Sequence, residues 1–298
     1  MGDGVFPVAT TRECTVDHPL TLLPLDIPTI LRKYGLKPDR RLGQVFLSDP
    51  NALLEVVRAA EIEPGDTVLE IGPGLGSLTR YLALQAVRVL AVELDSKLIP
   101  PLQRVLKPFS NVEIIPGDIL EIDLSSLIPS DKYLVVANIP YYITSAFIRH
   151  VLGSGKPPQR LVLTLQREVA DRICADSGEM SLLALSVQVY GRPCRIVQIP
   201  AEAFYPVPKV DSTVVRIDLY PAPVIDPNSL ETFFKLARAG FSQKRKTLKN
   251  ALSAGLGVSP DSVTQLLLES GLDPQRRAET LSLAEWGKLV KNYSRHSS

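Results

Sequence analysis

The chain has 298 residues, of which 45% are hydrophobic, so it is long enough to fill one large core and a small one. No stretch approaches the roughly 18 uninterrupted apolar residues of a membrane span, and the N-terminus lacks the basic-then-apolar layout of a secretory signal. The sequence therefore predicts a cytoplasmic protein without a membrane partner. Its three cysteines, Cys14, Cys174 and Cys194, are scattered and odd in number, which predicts neither a disulfide framework nor a metal site.

The first segment, residues 1–28, is rich in proline and threonine and has no clear period. We interpret it as an N-terminal arm that is either disordered or loosely docked. The pattern changes from about residue 29 onwards, where ordered elements are predicted.

Short β-branched runs then alternate with helix-compatible segments. The runs occupy residues 66–72, 87–95, 111–118, 132–138 and 160–166. Such alternation is typical of a parallel sheet covered by helices on both faces. Two later runs, 195–200 and 212–220, are joined by a proline-rich loop and predict an antiparallel edge on the same sheet.

Three prolines within residues 220–229 break this pattern. The sequence that follows them predicts helices, with serine and aspartate at positions suited to capping the helix N-termini. The predicted helical segments are 230–241, 246–257, 262–272 and 282–293. We therefore place a domain boundary near residue 222, between an α/β domain (29–222) and a small all-helical C-terminal domain (223–298).

Regional charge is stronger than the net charge of +1 suggests. Residues 31–41 carry five basic side chains against one acid, and residues 237–252 carry bases without any acid. Segments of this kind suit a polyphosphate partner, although a solvated helix face is the more common explanation of any single run of charges.

A glycine loop, "EIGPGLGSLT" at 70–79, follows the first predicted strand. Gly72, Gly74 and Gly76 allow the backbone to turn sharply and to approach a ligand closely, although tight-turn packing alone also explains them. The G-x-G-x-G spacing differs from that of dinucleotide folds. Glu93 ends the second strand about 20 residues later, where a carboxylate can accept both hydroxyls of a ribose.

A second acid, Asp118, follows the third strand at the same edge of the sheet. It can accept a hydrogen bond from an amino group such as that of adenine, or it can simply cap a helix. The glycine loop and the two acids together predict a pocket that binds a nucleoside but has no phosphate-binding group. S-adenosylmethionine has that composition.

The fourth strand ends in "NIPY", which brings Asn138 beside this pocket. An amino group conjugated to an aromatic ring is a poor nucleophile. If the Asn138 oxygen and a carbonyl of the Ile139–Pro140 turn hold its two hydrogens, the nitrogen can pyramidalise toward a methyl donor. Pro140 makes the turn rigid and Tyr141 can stack on the base; a turn with a packed tyrosine is the alternative.

These motifs together resemble the ribosomal RNA adenine N6-dimethyltransferases of the KsgA/RsmA type, over residues 34–286. The resemblance is carried by "LGQVFL", "EIGPGLGSLT", "AVELD", "GDIL", "NIPYYIT", "LQREVADRI", "FYPVPKVDS" and "FSQKRKTLKNAL". It implies a class I, Rossmann-like methyltransferase sheet with an antiparallel edge strand. It also implies transfer from S-adenosylmethionine to two adjacent adenosines in the 3′-terminal hairpin of 16S rRNA, giving N6,N6-dimethyladenosines within an immature small subunit during ribosome biogenesis. We expect a monomer.

The resemblance also assigns residues to three groups. The cofactor group is Gln44, Val45, Leu47, Gly72, Gly74, Gly76, Glu93, Leu94, Asp118, Ile119 and Asn138. The catalytic group is Asn138, Ile139, Pro140 and Tyr141. The RNA-binding group is Tyr141, Phe204, Lys209, Lys244, Arg245, Lys246 and Lys249.

The sequence departs from the family pattern in two places. Val45 stands where the family has asparagine, so cofactor affinity should fall unless this position acts mainly through its backbone. Residues 177–187 replace a base, a tyrosine and a glycine with Met180, Leu182 and Leu183, which changes a loop expected near RNA or the pocket. Two alternative functions stay open: a large-subunit methyltransferase of the macrolide-resistance type, and a non-catalytic ribosome-assembly factor.

Overall fold

The computed structural model describes residues 22–128, 132–139 and 143–296. Its strands are β1 (Phe46–Leu47), β2 (Thr67–Ile71), β3 (Arg88–Glu93), β4 (Val112–Pro116), β5 (Tyr133–Asn138), β6 (Arg160–Gln166), β7 (Gly191–Ile199), β8 (Phe204–Tyr205) and β9 (Ser212–Leu219). Seven of them form one sheet in the order β4-β3-β2-β5-β6-β9-β7. The five strands predicted between residues 66 and 166 are confirmed as β2 to β6, and they are parallel.

The antiparallel strand of this sheet is β9, which pairs with β6 on one side and β7 on the other. The strand at the sheet edge is β7, so the two later runs form the antiparallel edge that the sequence predicted. A bulge between Arg195 and Val197 interrupts the β7 ladder, and Pro193 removes a backbone donor. Both features make this exposed edge a poor template for pairing with another chain.

Helices cover both faces of the sheet. They are α1 (Ile27–Lys33), α2 (Pro50–Ala60), α3 (Ser77–Ala83), α4 (Ile99–Leu106), α5 (Leu124–Leu127), α6 (Thr144–Leu152), α7 (Arg167–Ile173), α8 (Leu182–Gln188), α9 (Leu230–Phe241), α10 (Leu248–Leu256), α11 (Pro260–Glu269) and α12 (Leu283–His296). Alternate strand residues divide between two cores, as Leu69 and Val68 do. The first core packs against α5 to α8, and the second packs against α2 and α3.

The four predicted C-terminal helices are confirmed as α9 to α12, which enclose a third core around the fully buried Trp286 and Phe233. Residues from α8 also enter this core, as does Met180 just before it. The backbone N–H groups of Gly178 and Met180 both donate to the Glu279 carbonyl (3.1 Å each). The altered segment 177–187 therefore packs between the sheet and the C-terminal helices. The domain boundary near residue 222 stays a prediction.

Gly240 in α9 leaves space that a buried ring occupies. A Cβ atom at this position would lie 2.7 Å from Cη2 of Trp286. We expect Gly240→Ala to lower the free energy of unfolding by about 1–2 kcal/mol, because overpacking outweighs the gain in helix propensity. Gly287→Ala is the matched control, since its Cβ would meet only a terminal methyl group of Ile225 at 3.2 Å. Urea melts in which both variants match the parent would contradict this expectation.

The N-terminal end of the described chain is docked. Asp26 caps α1 by accepting from the Thr29 N–H (3.0 Å), and Arg80 in α3 donates to the Leu23 carbonyl (2.8 Å). Residues 1–21 of the predicted arm, including Cys14, lie outside the described residues. None of the helices in the described ranges is long and apolar enough to cross a membrane.

Candidate active site

A cavity of about 220 Å³ lies at the carboxyl ends of β2, β3 and β5. Its walls come from residues 42–47, from the glycine loop and from the segments that follow β3 and β4. In sheets of this kind ligands bind at the carboxyl edge, where loops from neighbouring strands converge. The charged side chains among the lining residues are three acids, Glu70, Glu93 and Asp118.

Residues 72–75 of the glycine loop line this cavity. Gly72 and Gly74 have φ angles of +67° and +59°, a backbone region that disfavours residues with a Cβ. A Cβ on Gly74 would also lie 2.9 Å from the Phe46 ring. Gly76 differs, because it does not line the cavity and its missing Cβ makes room for Leu102 and Leu106. The assignment of Gly76 to the cofactor group stays a prediction. In the structure Gly76 allows close packing of the loop against α4.

Glu93 joins the glycine loop to the end of β3. Its carboxylate is 6% exposed and accepts hydrogen bonds from the N–H groups of Gly74 and Asp95, both at 2.9 Å. Burial raises the pKa of this carboxyl, and the two backbone donors oppose the rise. An acceptor held in this way can take a ribose hydroxyl without moving.

Asp118 is the second acid on the wall and is tied to the same edge. The preceding residue, Gly117, donates its N–H to the Glu93 carbonyl (2.9 Å), and Asp118 Oδ1 accepts from the Leu120 N–H (2.9 Å). The second carboxylate oxygen can accept an amino hydrogen. Leu94, 48% exposed, and the buried Ile119 also line the cavity and supply apolar surface for a planar ring.

Residues 44–47 form the opposite wall. Gln44 is fully engaged, because its Nε2 donates to Asp95 (2.7 Å) and its Oε1 accepts from the Asp39 N–H (2.8 Å). Leu47 is buried in the core behind the cavity. β1 also pairs with β8 in a two-stranded sheet, which the sequence did not predict, and this pairing joins the wall to the "FYPVP" loop.

Asn138 lines the cavity where β5 ends. Its Nδ2 donates to the main-chain carbonyl of Val45 (2.9 Å). The neighbouring Ile139 is 1% exposed and belongs to the core. Pro140 and Tyr141, the remaining predicted catalytic residues, lie outside the described residues.

Glu70 is a site residue that sequence reasoning missed. It lies on the same sheet face as Glu93 and Asn138, two positions below each along the strands. The side chain is 2% exposed, and its Oε2 has no hydrogen-bond partner within the described part of the chain. Burial, with the neighbouring Glu93 adding to it, raises its pKa to about 8. A carboxyl in the middle of an otherwise apolar strand is the sequence signal that could have found it.

Glu70 should make stability depend on pH. Its folded pKa of about 8 lies above its ordinary value of 4.5, so its contribution is fully present below pH 4.5 and is lost as the pH rises through 8. Gln cannot ionise, and we expect the melting temperature of Glu70→Gln relative to the parent to rise from pH 5 to pH 9. Thermal melts of the ligand-free protein measure this difference. A difference that is constant over this range would show that Glu70 does not titrate there.

The predicted RNA-binding residues that the structure describes are not among those that line the cavity, and Tyr141 lies outside the described residues. Phe204 is 2% exposed, with its backbone paired to Leu47, so its ring is packed in the core in this conformation. Lys209, Lys244, Arg245 and Lys246 are exposed, and Lys249 is half-buried. No cluster of three or more metal-binding side chains occurs within 22–128, 132–139 and 143–296.

Comparisons with known proteins identify the family. The model of the ribosomal RNA adenine dimethylase family matches residues 35–295. "Ribosomal RNA small subunit methyltransferase A" of Dehalococcoides mccartyi (strain CBDB1) is 46% identical over 266 residues, covering 89% of this chain and 91% of the relative. The protein of the same name from Alkaliphilus oremlandii (strain OhILAs) is 40% identical, covering 89% and 95%.

Two solved structures are also similar. A dimethyladenosine transferase from Plasmodium falciparum superposes with a TM-score of 0.72 at 25% identity, covering 85% of this chain and 98% of that one. The 23S rRNA methyltransferase ErmE superposes with a TM-score of 0.67 at 26% identity, covering 84% and 99%. The predicted class I methyltransferase fold is confirmed. Because the family match extends over nearly the whole chain, this protein belongs to the ribosomal RNA adenine dimethylase family, whose members are methyltransferases that depend on S-adenosylmethionine.

Proposed function

We propose that this protein transfers methyl groups from S-adenosylmethionine to N6 of two adjacent adenosines in the 3′-terminal hairpin of small-subunit rRNA. Its substrate is the immature subunit in the cytoplasm, and it acts as a monomer. The small-subunit assignment is supported by relatives that carry this name at 40–46% identity over most of their length.

The carrying observation is the fixed amide of Asn138. Because Nδ2 donates to the Val45 carbonyl, Oδ1 is the atom left to accept a hydrogen from the target amine. A second acceptor from the Ile139–Pro140 turn would hold the other amine hydrogen. With both hydrogens held, the nitrogen lone pair is directed at the methyl group.

The cavity fits the methyl donor chemically. Glu93 suits ribose hydroxyls, while Asp118, Leu94 and Ile119 suit an adenine ring. Glu70 Oε2 has no hydrogen-bond partner within the described part of the chain, and a ligand with positive charge would favour the ionised form of this carboxyl. Held by these residues, S-adenosylmethionine would supply an electrophilic methyl group to the amine nitrogen; the electrons of the methyl–sulfur bond would stay on sulfur, and the nitrogen would lose one proton to water.

The rRNA would be held by the predicted RNA-binding residues. Tyr141 and Phe204 would flank the flipped adenine, which requires the Phe204 ring to become accessible when RNA binds. The exposed bases at Lys209, Lys244, Arg245 and Lys246, with Lys249, would contact phosphates, most of them from the proposed helical domain 223–298.

Methyl-transfer assays with labelled S-adenosylmethionine test this proposal. Immature small subunits, mature small subunits and large subunits serve as parallel substrates, and digestion of the rRNA locates the label. We expect N6,N6-dimethyladenosine at two adjacent positions in the immature small subunit. Label confined to large-subunit rRNA would instead assign to the chain a 23S rRNA methyltransferase activity like that of ErmE. No transfer, together with intact subunit binding, would favour a non-catalytic assembly factor.

A further inference from the structure

Four consecutive residues, 44–47, contact several other parts of the candidate site. Gln44 bonds to Asp95 beyond β3, and the Phe46 ring lies against the glycine loop at Gly74. Phe46 and Leu47 pair with β8 of the "FYPVP" loop. Between these anchored neighbours stands Val45, whose carbonyl accepts the hydrogen bond from Asn138.

This hydrogen bond determines which way the Asn138 amide faces. An asparagine side chain has one donating nitrogen and one accepting oxygen, and a carbonyl can only accept. The nitrogen must therefore face Val45, which leaves the oxygen facing away from it. If the amide rotated by half a turn, two oxygens would oppose each other and a nitrogen donor would face the incoming amine.

We propose that the main-chain carbonyl of Val45 is a positioning group for methyl transfer, which holds the Asn138 amide with Oδ1 toward the target amine. The inference rests on the proposed role of Asn138 and adds the group that orients it. It also accounts for valine at a position where the family has asparagine. What this position contributes to Asn138 is a backbone oxygen, which every residue type supplies.

Anchoring on both sides keeps this oxygen in place. The Gln44 side chain bonds to two segments, and Ser48 Oγ and N–H both donate to the Ala203 carbonyl (3.1 and 2.9 Å). The backbone at residue 45 is thus held from each end. If residues 44–47 moved away from β5, the hydrogen bond to Asn138 would break. The position of this cavity wall and the orientation of the Asn138 amide are therefore coupled.

Asn138→Asp tests the proposal through its pH profile. The introduced carboxyl can donate to the Val45 carbonyl only when it is protonated. The titratable groups that face it across the cavity are all acids, Glu70 on β2, Glu93 on β3 and Asp118 after β4, and their ionised forms favour that protonated form. We expect its kcat relative to the parent to fall about 100-fold or more between pH 6 and pH 9. A relative kcat that stays constant or rises with pH would overturn the proposal.

The matched control is Asn292→Asp. Asn292 Nδ2 also donates to a main-chain carbonyl, that of Glu269 (3.1 Å), but it lies on α12 and away from the cavity. Its activity relative to the parent should not change with pH. This control separates a general effect of replacing an amide from an effect at residue 138.

A second measurement keeps the proposal testable if Asn138→Asp does not fold. Hydrogen exchange of the Asn138 side-chain amide is followed by NMR in the unsubstituted protein without ligand, and the exposed Asn51 is the reference. We expect exchange about tenfold slower at Asn138, because one hydrogen is bonded to a carbonyl. Equal exchange rates would overturn the proposal. Full activity of Asn138→Ala would instead remove the proposed role of Asn138 itself, so the two failures are distinguishable.

Discussion

Asn138→Ala is expected to lower kcat for adenine N6 methylation by about 10²- to 10³-fold, with a smaller change in methyl-donor affinity. Alanine keeps the end of β5 but removes the oxygen that would accept an amine hydrogen, so the nitrogen lone pair stays delocalised. Single-turnover transfer to immature small subunits measures the chemical step, and calorimetry with S-adenosylmethionine measures affinity.

The control for this loss is Asn292→Ala. This side chain likewise donates to a main-chain carbonyl, yet it packs near the end of α11 and contacts no residue of the cavity. It should retain the parental kcat. If Asn138→Ala methylated at the parental rate, amine orientation would have to come from the turn that follows β5.

Gly74→Ala is expected to weaken S-adenosylmethionine binding about tenfold or more. The backbone at φ +59° costs about 1–2 kcal/mol for a residue with a Cβ. The new methyl group would also meet the Phe46 ring at 2.9 Å and push apart the glycine loop and residues 44–47. Because the Gly74 N–H donates to Glu93, the ribose acceptor would shift as well. Calorimetric titration with the methyl donor measures the loss.

Gly271→Ala separates the two causes. Gly271 has a similar φ of +70°, but a Cβ there would meet nothing within 4 Å, and it lies beyond α11. This variant should lose only the stability that the positive φ angle costs, and it should keep the parental affinity for the methyl donor. Equal affinity losses in both variants would mean that contact with Phe46 does not govern the site.

Local patterns were sufficient for much of the fold. β2 to β6 were predicted because buried parallel strands are apolar on both faces and so appear as continuous β-branched runs. The same regularity brings Glu93, Asp118 and Asn138 to one edge, since strands that run in parallel end on the same side. The four C-terminal helices have their own apolar periods, and serines cap α11 and α12, which are also local signals.

Other elements carry weak local signals and depend on partners distant in sequence. β1 and β8 have two residues each and exist as strands because they pair with one another across more than 150 residues. Met180 and α8 looked like an altered loop near the pocket, yet they are packed against the C-terminal helices. Phe204 was predicted as a stacking residue, and its ring is buried here because β8 docks on β1.

The sequence by itself determined that Glu93, Asp118 and Asn138 lie at the ends of successive strands beside a glycine loop, and from these residues it predicts a nucleoside site beside an amine-orienting group. Only the tertiary structure decided how these groups are held. The buried Glu70 and the Val45 carbonyl that fixes Asn138 depend on contacts across strands and across 93 positions of chain. A backbone oxygen is the same in every residue type, so no sequence pattern can record which one faces the site.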